Sequence, residues 1–125
     1  MNLGKLTTHI LDTSAGKPAA NVQVELYEIV QTEAGRTERG RRLNTATTNK
    51  DGRCDAPLLE GAAFKQGQYE LEFALGDYFA KSGAALTDPK FIDAVLIRFG
   101  VSDADTHYHV PLLASPFGYS TYRGS

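Results

Sequence analysis

With 125 residues, 42% of them hydrophobic and 22% charged, the chain has the size and balance of one water-soluble globular domain spanning 1–125. Its formal charge of −2 provides no general basic field, so nucleic acid is not an expected partner. No stretch is apolar for long enough to span a bilayer, and no membrane partner is expected either.

The opening MNLGKLTTHILD lacks the apolar run of a signal peptide, and the one cysteine, Cys54, has no intramolecular disulfide partner; a cytoplasmic protein is the expectation. LTTHILD reads as the first strand and carries His9. After the turn SAGKPA, NVQVEL sets Val22, Val24 and Leu26 on one face and Asn21, Gln23 and Glu25 on the other, the period-two pattern of a half-buried strand. Arg36, Arg39, Arg41 and Arg42 follow, with Glu33 and Glu38 interspersed, which points to a solvated loop and not to a phosphate-binding stripe. LNTATTN, rich in β-branched threonine, predicts another strand before the turn NKDGR. Beyond a second turn, KQGQ, the run QYELEF opposes Tyr69, Leu71 and Phe73 to Gln68, Glu70 and Glu72. GDYFAKSG is the one helical stretch, with Asp77 placed to cap it and Gly83 to end it. VLIRFGV then puts Val95, Ile97, Phe99 and Val101 on one face, THYHVPLL continues the alternation, SPFG turns, and STYRGS is last. Many short strands, regular turns and a single small helix predict an all-β, two-sheet sandwich of about eight antiparallel strands with one short α-helix.

One face of that sandwich is unusual. In THYHVPLL, Tyr108, Val110 and Leu112 are the inward set, so His107, His109 and Pro111 point to the opposite face. Two imidazoles two positions apart on a strand have Cα atoms roughly 6–7 Å apart, close enough to act on one small ligand. Taken singly, each is as readily an ordinary surface histidine. A metal is a further reading, since His-x-His presents two nitrogens, but Cys54, His9 or a carboxylate would have to complete the set and the spacing does not require it. His9 alone is weaker evidence than the pair. Arg53, just after the NKDG turn, is by itself a solvated arginine beside a hairpin, and the neighbouring Cys54 reads as a small core residue rather than an activated thiol. In the tail, alternation separates Ser120, Tyr122 and Gly124 from Thr121, Arg123 and Ser125. Arg123 has the planar fork that holds anions, Gly124 permits close backbone approach, and a blunted edge strand is the plainer alternative.

LTTHILDTSAGKPAANVQVELYE, TNKDGR and HYHVPLLASPFGYSTYRGS, in that order, resemble the 5-hydroxyisourate hydrolases, the transthyretin-related enzymes of urate breakdown. The resemblance runs from Leu6 to Ser125, and its most specific element is the terminal YRGS, which separates these hydrolases from the hormone carrier of the same fold. VQTEAGRTERGRRL and LTDPKFIDAV match only loosely. The resemblance implies a transthyretin-like sandwich, a homotetramer built as a dimer of dimers, and a small-molecule substrate, 5-hydroxyisourate, hydrolysed to 2-oxo-4-hydroxy-4-carboxy-5-ureidoimidazoline. It implies a catalytic set of His9, Arg53, His109 and Ser125, substrate binding by Tyr122, Arg123 and Gly124, and neither a metal nor an organic cofactor. His107 matches the family pattern without an assigned catalytic role. On this view His9 and His109 activate water, and Arg53 and Arg123 hold carbonyl oxygens and the developing oxyanion. Ser125 bonds substrate or water or lends its carboxylate, so that the tail forms a wall of the site. No Gly-x-Ser-x-Gly elbow occurs, so a serine acyl-enzyme is not expected. Two alternatives stand beside the hydrolase: a transthyretin-like carrier of small ligands without catalysis, and a zinc-dependent hydrolase built on His107 and His109.

Overall fold

Alternating apolar residues build nearly every strand of the molecule, whose computed structural model describes residues 3–124. Strand β1 (Lys5–Asp12) buries Leu6, Thr8, Ile10 and Asp12 and turns Lys5, Thr7, His9 and Leu11 outward. It is followed by β2 (Lys17–Pro18), β3 (Gln23–Gln31), β4 (Thr37–Thr47), β5 (Leu59–Glu60), β6 (Gly67–Ala74), the helix α1 (Leu75–Lys81), β7 (Ala94–Val101), β8 (His107–Ser115) and β9 (Gly118–Thr121). One sheet runs β2–β1–β8–β9, with β5 also on β1, and the other runs β4–β3–β6–β7. The two-sheet sandwich with one short helix is therefore as expected. Its pairs are antiparallel except that β1 and β8 run parallel, because the chain crosses to the second sheet and back before β8 returns beside β1.

Between the sheets lies a core of Leu6, Ile10, Val24, Leu26, Leu71, Phe73 and Leu112, all fully buried, each worth roughly 1.5–3 kcal/mol of transfer free energy. Phe64 stacks on Tyr69 and meets Tyr108 edge-on, and Tyr69 in turn stacks on Phe99. The same alternation that fills this core pushes the histidines out of it.

Two local expectations are corrected. Arg39, Arg41 and Arg42 lie in the first half of strand β4 and not in a loop, so the strand expected over LNTATTN begins earlier, at Thr37. Register shifts at Leu26–Tyr27 and Tyr27–Ile29 break the alternation that would have revealed this first half. Asp77 sits inside the first turn of α1 and does not cap it. The helix starts directly from β6, since Leu75, Gly76 and Phe79 pack inward, and the capping position falls to Ala74. An acid there still favours the positive end of the helix dipole. Gly83, at φ +81°, closes the helix as anticipated. No helix among the described residues is long and apolar enough to cross a membrane.

Candidate functional site

The parallel register of β1 and β8 sets Lys5 opposite His107, Thr7 opposite His109 and His9 opposite Pro111. Side chains at these positions share the outer face, so the two strands carry three imidazoles onto one patch. The ring centroids of His9 and His109 are 6.5 Å apart, and those of His107 and His109 are 6.1 Å apart. Thr7 stands between the strands with its Oγ1 2.6 Å from His107 Nε2 and 2.8 Å from His109 Nδ1. Behind them, the buried hydroxyl of Thr8 donates to the carbonyl of Val110 at 2.7 Å, tying the strands together on their inner side.

Arg53 reaches the patch through a turn. Asn49 Oδ1 accepts from the backbone N–H groups of Asp51 and Arg53, and the N–H of Gly52 donates to the carbonyl of Asn49. Gly52 adopts φ +74°, and a β-carbon on it would lie 2.4 Å from the carbonyl oxygen of Ile10, so only glycine permits this contact. The N–H of Ile10 donates to the carbonyl of Gly52, which lays the turn along the free edge of β1 and bridges His9 with Arg53. Among the described residues Arg53 and Lys5 have no ion-pair partner.

The tail approaches from the other side of β8. The β8–β9 ladder stops at the pair Leu112–Thr121, where Pro111 offers no N–H, and the hydroxyl of Thr121 donates to the carbonyl of Pro111 instead. Pairing resumes once, with the N–H of Gly124 donating to the carbonyl of His109 at 2.7 Å. A β-carbon on Gly124 would lie 2.8 Å from His109 Cδ2, so the tail backbone rests directly against that ring. Tyr122 is 62% exposed. Arg123 turns to the opposite side, its guanidinium carbon 4.1 Å from the centroid of Tyr108 and Nη2 3.5 Å from the hydroxyl of Thr106. The structure thus brings His9, His109, Arg53 and Gly124 together and sets Arg123 apart. Ser125 lies outside the described residues.

An open cleft of about 460 Å³, within the usual range of ligand sites, is lined by Lys5, Thr7, Arg53, Cys54, Pro57, His107 and His109 among others; His9 stands beside it. All three imidazoles sit below the ordinary histidine range of 6.5: His9 through burial and then the Arg53 charge, opposed by Asp51; His109 through burial, then Arg53, His107 and His9; His107 through burial and then Lys5. They are neutral at neutral pH and able to accept protons. Cys54, beside Arg53, is no activated thiol, because burial and then Asp55 raise its pKa. Among the described residues no group of three or more His, Cys, Asp or Glu side chains is placed to hold a metal ion. Lys5 and Thr7 did not figure among the expected site residues, although their period-two spacing from His9 puts them on its face.

Residues 6–124 match the HIUase/Transthyretin family. A 5-hydroxyisourate hydrolase from Ralstonia nicotianae is 54% identical to the chain, over 98% of this chain and 100% of its own. The structure of the Klebsiella pneumoniae 5-hydroxyisourate hydrolase superposes with a TM-score of 0.77 at 35% identity, covering 98% of this chain and 100% of that one. Sea bream transthyretin in complex with thyroxine gives a TM-score of 0.78 at 26% identity, covering 96% of this chain and 94% of that one.

Proposed function

Because the chain belongs to the HIUase/Transthyretin family, we propose that it is a cyclic-amide hydrolase that opens the six-membered ring of 5-hydroxyisourate to give 2-oxo-4-hydroxy-4-carboxy-5-ureidoimidazoline. One observation carries this reading: two half-buried, neutral imidazoles face each other beside an arginine that has no ion-pair partner among the described residues. A neutral imidazole is the side chain suited to take a proton from water near neutral pH. His9 and His109 orient the attacking water; one accepts its proton and becomes an imidazolium, and the pair passes that same proton to the leaving ring nitrogen, which restores both neutral rings. Arg53, which no carboxylate among the described residues neutralises, holds the attacked carbonyl and the oxyanion that forms on it.

The tail supplies the wall of the site. Gly124 brings its backbone against His109, and the exposed Tyr122, which borders the neighbouring cleft with Tyr108 and Arg123, closes over the substrate only by turning toward it. Arg123 adds a second donor only by swinging off the Tyr108 ring, and Ser125 bonds substrate or water. Water attacks directly, with no acyl-enzyme, metal or organic cofactor.

The same reading includes a homotetramer, a dimer of dimers. It is supported by the exposed aromatic side chains Phe117, Tyr119 and Tyr122 on and beside the edge strand β9, which a second copy would cover. Light scattering on the purified protein measures this directly, and a monomeric mass rejects it.

The decisive experiment generates 5-hydroxyisourate from urate with urate oxidase and follows its ultraviolet absorbance with the native protein and with His109→Asn. Rapid decay with the native chain and background decay with the variant support the hydrolase. Background decay with both, from folded protein, leaves a ligand carrier in its place.

A further inference from the structure

The hydroxyl of Thr7 is shared by two histidines, yet it belongs to neither the proton-transfer pair nor the substrate-binding set. Its distances of 2.6 Å to His107 Nε2 and 2.8 Å to His109 Nδ1 are both hydrogen bonds. A hydroxyl has one proton to give and two lone pairs, and among the described residues these rings are its hydrogen-bond partners. While its proton stays in one of these two bonds, it donates to one ring and accepts from the other. The two rings therefore cannot choose their tautomers independently.

The orientation of His109 makes this choice matter. Its Nδ1 edge faces Thr7 and its Cδ2 edge faces Gly124. Both atoms adjoin the ring carbon that carries the side chain, so Nε2 is at the outer end, and among the described residues it has no hydrogen-bond partner. When Thr7 donates to His107 Nε2, it accepts from the Nδ1–H of His109, and His109 Nε2 presents a lone pair outward. When Thr7 donates to His109 Nδ1, the proton of a neutral His109 is on Nε2, and that atom no longer accepts one. An imidazolium on His109 requires the first arrangement and a neutral His107. An imidazolium on His107 requires the second and leaves His109 unable to act as a base through Nε2. With both hydrogen bonds kept and the hydroxyl proton in one of them, one ring at most carries the charge.

We propose that Thr7 is a positioning residue that couples His107 to His109, so that a neutral His107 holds His109 with its Nε2 lone pair directed at the substrate. His107 thereby gains a part in the reaction without touching substrate. This inference rests on the reading that His109 handles the attacking water. The charged and titratable groups around the pair are Lys5 and His9 on β1, and Asp51, Arg53 and Asp55 on and beside the turn against its edge; Arg123 of the tail faces away, over Tyr108. Burial and then the Lys5 charge lower the affinity of His107 for a proton, which favours the competent arrangement at neutral pH.

The test compares native protein with Thr7→Val, which keeps the shape and loses the hydroxyl, and Thr7→Ser, which restores it. Imidazole nitrogen chemical shifts, read by NMR across pH, report the tautomer of each ring without substrate. In native protein and Thr7→Ser, His107 and His109 titrate in linked steps and neutral His109 carries its proton on Nδ1. In Thr7→Val the linkage disappears and His109 becomes a tautomer mixture. Turnover of 5-hydroxyisourate by Thr7→Val falls roughly ten- to a hundredfold in kcat with KM unchanged, the size of one charge-assisted hydrogen bond, and Thr7→Ser recovers most of it. A native tautomer and linked titration persisting in Thr7→Val overturn the proposal, as does unchanged kcat in that variant while His109→Asn is inactive. If the native protein leaves 5-hydroxyisourate at background decay, the functional reading fails by itself, and the NMR titration still decides the coupling.

Discussion

The two outer faces of the sandwich are both polar, but they treat charge in opposite ways. On the β4–β3–β6–β7 sheet nearly every ion has a partner: Glu70, 5% exposed, meets Arg39 at 2.8 Å and Arg98 at 3.3 Å, Arg39 also meets Glu72, and Arg42 meets Glu25. Arg39 lies flat over Tyr27, 3.9 Å from its centroid. On the β1–β8 face, Lys5, Arg53 and three histidines stand together, and among the described residues no carboxylate pairs with either cation. A face whose charges are matched contributes to folding. On the function proposed above, a face that leaves positive charge unmatched among the described residues, beside neutral imidazoles, receives a group from outside with carbonyl oxygens or negative charge to offer.

The contrast breaks most sharply at Arg53. Arg53→Gln keeps a polar side chain at the turn and removes the fixed charge, so kcat for 5-hydroxyisourate falls by roughly a hundred- to a thousandfold while the thermal midpoint stays unchanged. Gly124→Ala acts on the same face by geometry. Its new β-carbon, 2.8 Å from His109 Cδ2, displaces the ring or the tail, and turnover drops roughly ten- to a hundredfold with Tm again unmoved. Steady-state kinetics beside a melting curve check both; a loss of Tm that parallels the loss of rate would make these residues part of the fold and erase the distinction.

The matched face gives the reverse result. Glu70→Ala leaves Arg39 with Glu72 alone and releases Arg98; their side chains are 33% and 38% exposed and regain water, so the loss is held to about 1–2 kcal/mol, a few degrees of Tm. Turnover measured well below the melting point is unaffected. A variant as stable as the native protein would show that this network is decorative.

How much of this was legible in the sequence depended on periodicity. Val22, Val24 and Leu26, and Tyr69, Leu71 and Phe73, alternate cleanly because their strands are half buried, and all six lie in the core. The same alternation set His107 and His109 outward together, and the NKDGR turn announced itself through its asparagine and glycine. LNTATTN announced the second half of β4, but the first half escaped because the bulged pairing with β3 scrambles the alternation of TERGRRL. Thr7 escaped because a threonine in a strand is ordinary; only the parallel register with β8, a long-range property, places its hydroxyl between two imidazoles. Arg123 could be assigned to a face by alternation, but its stacking on Tyr108 depends on the tail running beside β8. Residue types and local periods were readable, whereas contacts made by distant strands were not.

The smallest expected effect separates the two faces by pH. His9 and His109 have pKa values lowered on folding, so the unfolded chain binds more protons than the folded one once the pH drops below the ordinary 6.5. Stability is therefore full above that value and declines as the pH falls through it toward the lowered folded values. Asp12 contributes in a separate window. Burial alone would raise its pKa, but hydrogen bonds from Ser14, Tyr78 and Ala15 outweigh this and leave it below 3.8, so its contribution is lost only in stronger acid. Between about pH 6.5 and 4.5 the slope of stability against pH thus belongs mainly to the histidine face, and the double variant His9→Gln, His109→Asn melts with a flatter pH dependence there than the native protein. An unchanged slope in that variant would place the acid sensitivity elsewhere and remove the claim that folding holds these imidazoles neutral.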